Sequence, residues 1–190
     1  MFSDPKKNLE QFDLAPGMKV ADFGSGAGYY TFLAAHAVGP SGQVFALDVQ
    51  KDLLVTLKKE AEKSHLFNIE IVRCDFDSAG GTKLKDAVIE RGIVANVLFQ
   101  VEKKENFARE IARVMRPGGL LLVIDWADSF AGIGPEKNAV LPKEKCQQLF
   151  EQAGFGLEKT VSAGMHHYGF VFKKVGVASQ KVDNAPLQKV

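Results

Sequence analysis

Cysteine is scarce. Cys74 and Cys146 are the only two in 190 residues, too few for a disulfide framework and without the spacing of a zinc site. The four histidines make no recognised metal motif, so no metal is expected. Charge excess is lacking too: 24 Lys and Arg stand against 23 Asp and Glu, a formal net charge of +1. Such a balance leaves room for a local basic patch but argues against a surface built on phosphate contacts, so nucleic acid is not the expected partner. Long apolar runs are missing, the longest being strand-sized, and no membrane span is expected. The opening Met-Phe-Ser-Asp-Pro-Lys-Lys is polar and carries no signal-peptide pattern, so a reducing cytoplasm is the expected location. There is no internal repeat and no sign of a second domain.

What is present is an ordinary globular composition, 46% hydrophobic and 25% charged, enough for one sizeable core. One domain is expected over 1–174, followed by a polar, aperiodic tail over 175–190, which reads as flexible. The chain is organised around Val20-Ala-Asp-Phe-Gly-Ser-Gly-Ala-Gly-Tyr-Tyr-Thr-Phe32, where an apolar strand passes through Gly24, Gly26 and Gly28 into a helix. Glycines at such a turn admit a ligand close to the backbone. The dinucleotide fingerprint Gly-x-Gly-x-x-Gly/Ala fails here, since its third small residue falls on Tyr29 or on Thr31.

In chain order, the pattern predicts a lead-in helix over 6–14 and a helix over 29–38 closed by Gly39-Pro40-Ser41-Gly42. It then gives a strand over 43–47, a helix over 52–64 and a strand over 69–72. A short helix over 83–90, a strand over 92–98 and a helix over 104–115 ending at Arg116-Pro117-Gly118-Gly119 follow. The aliphatic run Leu120 to Ile124 reads as a central parallel strand. A loop over 128–142, a helix over 143–153 and a hairpin of strands over 157–162 and 168–174 complete the chain. Asp48 lies twenty residues after Gly28 at the carboxyl end of the second strand, where an acid can accept from both hydroxyls of an adenosine ribose; a nicotinamide dinucleotide would use the same acid.

The pattern Asp22-x-Gly24-x-Gly26-x-Gly28 resembles motif I of the class I S-adenosylmethionine-dependent methyltransferases. The phrase from Glu110 to Trp126 resembles the same group, closest to the type-11, ubiquinone/menaquinone methyltransferase-like enzymes. The likeness spans roughly 5–174, and its opening is also similar to protein isoaspartyl methyltransferases. It implies an α/β, Rossmann-like doubly wound sheet of seven strands in the order 3-2-1-4-5-7-6 with strand 7 antiparallel, and S-adenosylmethionine as cofactor with S-adenosylhomocysteine as product. In residues of this chain, it implies that Asp22 helps hold the cofactor's ammonium group and that Gly24, Gly26 and Gly28 form its loop. Asp75 and the Phe76 N–H meet the adenine edge, Val49 packs on the ring and Asn96 lies near the cofactor. Asp77 is an alternative to Asp75. Two positions depart from the family pattern: Gly92 stands where an acid is common, and Phe99-Gln100 replace a common His-His pair.

The expected activity is methyl transfer from S-adenosylmethionine to a small-molecule acceptor, by a protein acting as a monomer or homodimer. RNA or protein methylation is the alternative enzyme reading, and a non-catalytic cofactor-binding partner subunit the alternative outside catalysis. An NAD-dependent oxidoreductase comes third, disfavoured by Tyr29. The acceptor is expected at a mouth formed by Tyr29 or Tyr30, Phe99, Gln100, Trp126 and the segment around Phe2. His166, His167 or Asp125 is the nearest base if the acceptor must lose a proton. Without a ligand, Trp126 reads as core, the two histidines as surface turn residues, and the pairs Lys58-Lys59 and Lys103-Lys104 as solvated helix faces.

Overall fold

Short apolar runs in this chain become strands because they can be covered on both sides. They are β1 (Lys19–Phe23), β2 (Gln43–Asp48), β3 (Ile69–Arg73), β4 (Ile89–Ala95), β5 (Met115–Trp126), β6 (Phe155–Thr160) and β7 (His167–Lys174). The helices are α1 (Pro5–Glu10), α2 (Tyr29–Val38), α3 (Lys51–Lys63), α4 (Lys104–Val114) and α5 (Lys143–Gln152). The structure is a computed structural model that describes residues 3–76, 78–130 and 132–176. Phe2, Asp77 and the tail from 177 onward, all singled out above, lie outside the described residues.

The seven strands form one sheet in the order β3-β2-β1-β4-β5-β7-β6. The pairs among β1 to β5 are parallel, whereas β7 runs antiparallel to β5 and to β6, as expected. Successive residues of a strand point to opposite faces. Thus Ala21, Phe23, Leu121 and Val123 pack with Phe107, Ile111 and Phe150 of α4 and α5. Val20, Leu122 and Ile124 pack on the other face with Tyr30, Ala34 and Val38 of α2. Phe23, Phe107, Phe150 and Phe172 are fully buried, each contributing about 2–3 kcal/mol in transfer free energy.

The structure corrects several expectations, among them the strand over 92–98, which runs over Ile89–Ala95. No helix forms over 83–90: Lys83 and Ala87 have φ of 61° and 54°, outside the helical region, and β4 already begins at Ile89. Strand β5 also starts earlier than Leu120, because Arg116-Pro117-Gly118-Gly119 is a bulge within the strand rather than a turn before it. Ile89 pairs with Met115 and Arg91 with Leu120, so those four residues stand opposite Glu90, whose carboxylate meets Arg116 at 2.8 Å. Gly92 is closed in by packing: a Cβ there would lie 2.7 Å from Leu121 Cδ1. An acid at this position would displace the core.

Candidate cofactor site

Parallel strands deliver their carboxyl ends to one edge of the sheet, and the crevice there is the usual ligand position of an open α/β sheet. A cavity of about 500 Å³ lies at that edge. It is lined from the β1–α2 loop (Gly24, Ser25, Gly26, Ala27), from α2 (Tyr29, Tyr30), from the end of β2 (Asp48, Val49, Gln50), from the end of β3 (Asp75, Phe76) and from the loop after β4 (Asn96, Val97, Gln100). The volume is within the range of small-molecule sites.

The glycine loop is held by backbone bonds, with the N–H groups of Gly24 and Ser25 both donating to Leu47 O at 2.8 and 3.0 Å. Gly24 has φ 84°, and a Cβ on it would meet Val97 Cγ2 at 2.5 Å. Gly26, at φ 53°, has open space where its Cβ would be. One is glycine to fit a neighbour; the other leaves the cavity clear. Asp48 is buried and accepts from Gly26 N–H at 2.8 Å and Gln50 N–H at 2.9 Å, one bond on each oxygen. Each oxygen keeps further acceptor capacity, so the carboxylate is oriented and still able to take a ligand.

Asp22 lies at the root of the loop, only 2% exposed, and accepts from Thr31 Oγ1 at 2.6 Å. Burial pushes its carboxyl up to about 7, opposed by the Thr31 bond and assisted by the charge of Asp48. It is not part of the cavity lining. Ser25 Oγ and Asn96 Oδ1, both from lining residues, are buried and have no hydrogen-bond partner among the described residues. Asn96 holds φ 56°, with its N–H on Ile124 O. Such orphaned atoms at a cavity wall call for a polar ligand.

Helix α1 closes one side, its Pro5 lining the cavity. It is shorter than the expected 6–14 and is capped by Asp4, whose Oδ1 accepts from Lys6 and Lys7 N–H. Asn8, 1% exposed, donates from Nδ2 to Tyr30 Oη at 2.7 Å and to Ser3 Oγ at 2.8 Å. Gln11 pairs with the backbone of Ser162, accepting from its N–H and donating to its carbonyl, both at 2.9 Å. Neither anchor was visible in the sequence. The lining residues Ser25, Gln50, Leu53, Val97, Val101 and Glu102 were also missed, although several simply follow the strand ends that had been identified.

The expected acceptor and base residues divide. Tyr29 and Gln100 line the cavity; Phe99, Asp125, Trp126, His166 and His167 do not. Asp125 is turned inward to accept from the N–H groups of Leu98 and Trp126, both at 2.8 Å, and burial raises its carboxyl to about 6. It fixes the loop that bears Asn96 and Gln100. Trp126 lies against His167, ring centroids 4.3 Å apart, and close over Gly134. His166 bonds Asp128 at 2.8 Å and stacks on Phe130. The two histidines do flank Trp126, but their rings serve a cluster beside the cavity. Burial also lowers the pKa of His167.

Fold and cavity together define the class I S-adenosylmethionine-dependent methyltransferases. A family model described as Methyltransferase domain matches residues 14–169. A solved S-adenosylmethionine-dependent methyltransferase from Aquifex aeolicus has a TM-score of 0.83 and 28% identity over 92% of this chain and 91% of its own. An arsenite methyltransferase of Halobacterium salinarum is 31% identical over 112 residues, 59% of this chain and 28% of its own length. A ubiquinone/menaquinone biosynthesis C-methyltransferase of Shewanella sediminis is 31% identical over 120 residues, 63% of this chain and 47% of its own. The chain spans less than half the length of these two curated relatives. It belongs to the methyltransferase domain family. S-adenosylmethionine, the cofactor of that class, suits the residues present: a clamped carboxylate, an open glycine and two residues with unsatisfied buried oxygens line one cavity.

Proposed function

We propose that this chain transfers the methyl group of S-adenosylmethionine to a small-molecule acceptor. The observation that carries the reading is the Asp48 carboxylate, fixed by Gly26 and Gln50 N–H groups at the wall of the 500 Å³ cavity. Asp48 takes the two ribose hydroxyls. Asp75 and the Phe76 N–H take the adenine edge, with Val49 and Leu53 against the ring. Ser25 Oγ and Asn96 Oδ1 accept from the ammonium group, with the ionised Asp22 beneath the loop. The cofactor, when bound, would supply an electrophilic methyl group on a sulfonium sulfur, with a neutral thioether as the leaving group.

Alignment and exclusion of water carry such a reaction. Tyr29, Tyr30, Gln100 and Pro5 align the acceptor, and α1 excludes solvent. No base is assigned, because Asp125 and His166 are committed to the partners described above and His167 is packed against Trp126. Calorimetric titration with S-adenosylmethionine, S-adenosylhomocysteine and NAD tests the cofactor, and a metabolite screen for S-adenosylhomocysteine release tests the transfer. Binding of NAD in preference to the other two would overturn the reading.

A further inference from the structure

The side chains lining the cavity carry charge of one sign. Asp48, Asp75 and Glu102 contribute carboxylates, and no Lys, Arg or His belongs to the described lining. The bases Arg73 and Lys104 donate to the backbone carbonyls of the lining residues Val49 and Val101, at 3.2 and 2.6 Å, and they and the exposed Lys103 next to Glu102 stand outside the lining. The three acids are also spread across the sheet. With the strand order β3-β2-β1-β4, Asp75 follows β3, Asp48 ends β2 and Glu102 lies beyond β4. Asp75 and Glu102 thus follow strands that stand three places apart in the sheet. On the proposed cofactor placement, Asp75 and Asp48 serve the adenosine, and Glu102 is left at the opposite end.

Glu102 is exposed and makes no hydrogen bond or ion pair among the described residues. The same cavity is lined by Tyr29, 75% exposed, and Tyr30. The buried, unpartnered Ser25 Oγ belongs to the same lining. A carboxylate in a cavity that also presents aromatic rings attracts cations and repels anions, because both the charge and the ring faces are negative.

We infer, resting on the proposed function, that the acceptor is an uncharged or amine-bearing small molecule with a flat or apolar body, and that Glu102 selects against carboxylates and phosphate esters. The test uses two probes with the same phenol ring and opposite end groups, tyramine and 4-hydroxyphenylpropionate, titrated into protein saturated with S-adenosylhomocysteine. Tyramine is expected to bind tighter by up to about fivefold, the scale of an exposed charge pair. The preference should shrink at about 0.5 M salt. It should fall in Glu102→Gln and turn toward the carboxylate in Glu102→Lys. Tighter or equal binding of 4-hydroxyphenylpropionate, no tyramine binding at about 10 mM, or a preference that both Glu102 variants retain would overturn the inference. S-adenosylhomocysteine failing to bind at the first step would instead sink the function proposed above, so the two failures are distinct.

Discussion

Replacing Asp48 with alanine tests the cofactor placement most directly. The wild-type carboxylate accepts from Gly26 and Gln50 N–H at 2.8 and 2.9 Å, so its direction is set before any ligand arrives. On the proposed placement, two ribose hydroxyls add two charge-assisted bonds, each contributing about 1.5 kcal/mol. Asp48→Ala should therefore weaken S-adenosylhomocysteine binding by about 3 kcal/mol, roughly 150-fold in Kd. The same change leaves two backbone N–H groups without their acceptor. They lie at a cavity wall that water can enter, so folding stability should drop by only about 1 kcal/mol. Asp48→Asn keeps the volume but can accept from only one N–H, and its amide opposes the other; an intermediate loss of affinity is expected. Calorimetry gives the Kd and thermal melting the stability. A folded Asp48→Ala protein with nearly wild-type affinity would refute the argument, because the oriented carboxylate would then have no ligand to meet.

Gly24→Ala should lose about 1–3 kcal/mol of stability, since the new Cβ meets Val97 at 2.5 Å and φ is 84°; it should also weaken S-adenosylhomocysteine binding, measured by melting and calorimetry. The carboxyl of Asp22, raised to about 7 when folded against 3.8 as a free side chain, gives stability that is full below about 3.8 and lost as pH rises through about 7. Asp22→Asn, which can still accept from Thr31, should raise Tm more at pH 8 than at pH 5. Subtracting the two profiles removes the contribution of Asp125, raised to about 6. The ammonium group favours ionised Asp22, so wild-type cofactor affinity should rise with pH through about 7, and the variant's profile should be flatter. Glu110, 2% exposed, accepts from Gly80 N–H, Thr82 N–H, Thr82 Oγ1 and Arg113, which hold it down at about 2 despite burial. Glu110→Ala should destabilise by about 2–3 kcal/mol in urea melts and loosen the 78–82 turn in hydrogen exchange.

The sequence was most readable where one pattern sufficed. Helix α2 runs over Tyr29–Val38 as expected because glycines bound it on both sides, and β2 ends on Asp48 because an apolar run stops at an acid. From there the parallel order and the reversed last hairpin follow with little freedom. The segment over 78–88 was not legible, since its conformation depends on Glu110, some thirty residues later, rather than on local propensity. The same reason divides the acceptor side. Strand positions put Asp125, Trp126 and the two histidines at the carboxyl edge of the parallel strands, but side-chain direction depends on which donors go unsatisfied there. The Leu98 N–H claims Asp125, and Asp128 claims His166. Nothing in the spacing of those residues records either demand.

The paired bonds between Gln11 and Ser162 join residues 151 positions apart. Their amide groups meet as two peptide units would, so the side chain of Gln11 acts as one more backbone unit just beyond the end of β6. Synthesis makes α1 long before β6, yet this anchor cannot form until the β6–β7 hairpin has been synthesised and has found its place in the sheet. The segment carrying Pro5 is thus made well before it can be fully fixed. A chain stopped before β6 would keep the glycine loop, Asp48 and the packing of Phe12 on α2, but would hold that wall of the cavity without the Gln11 anchor.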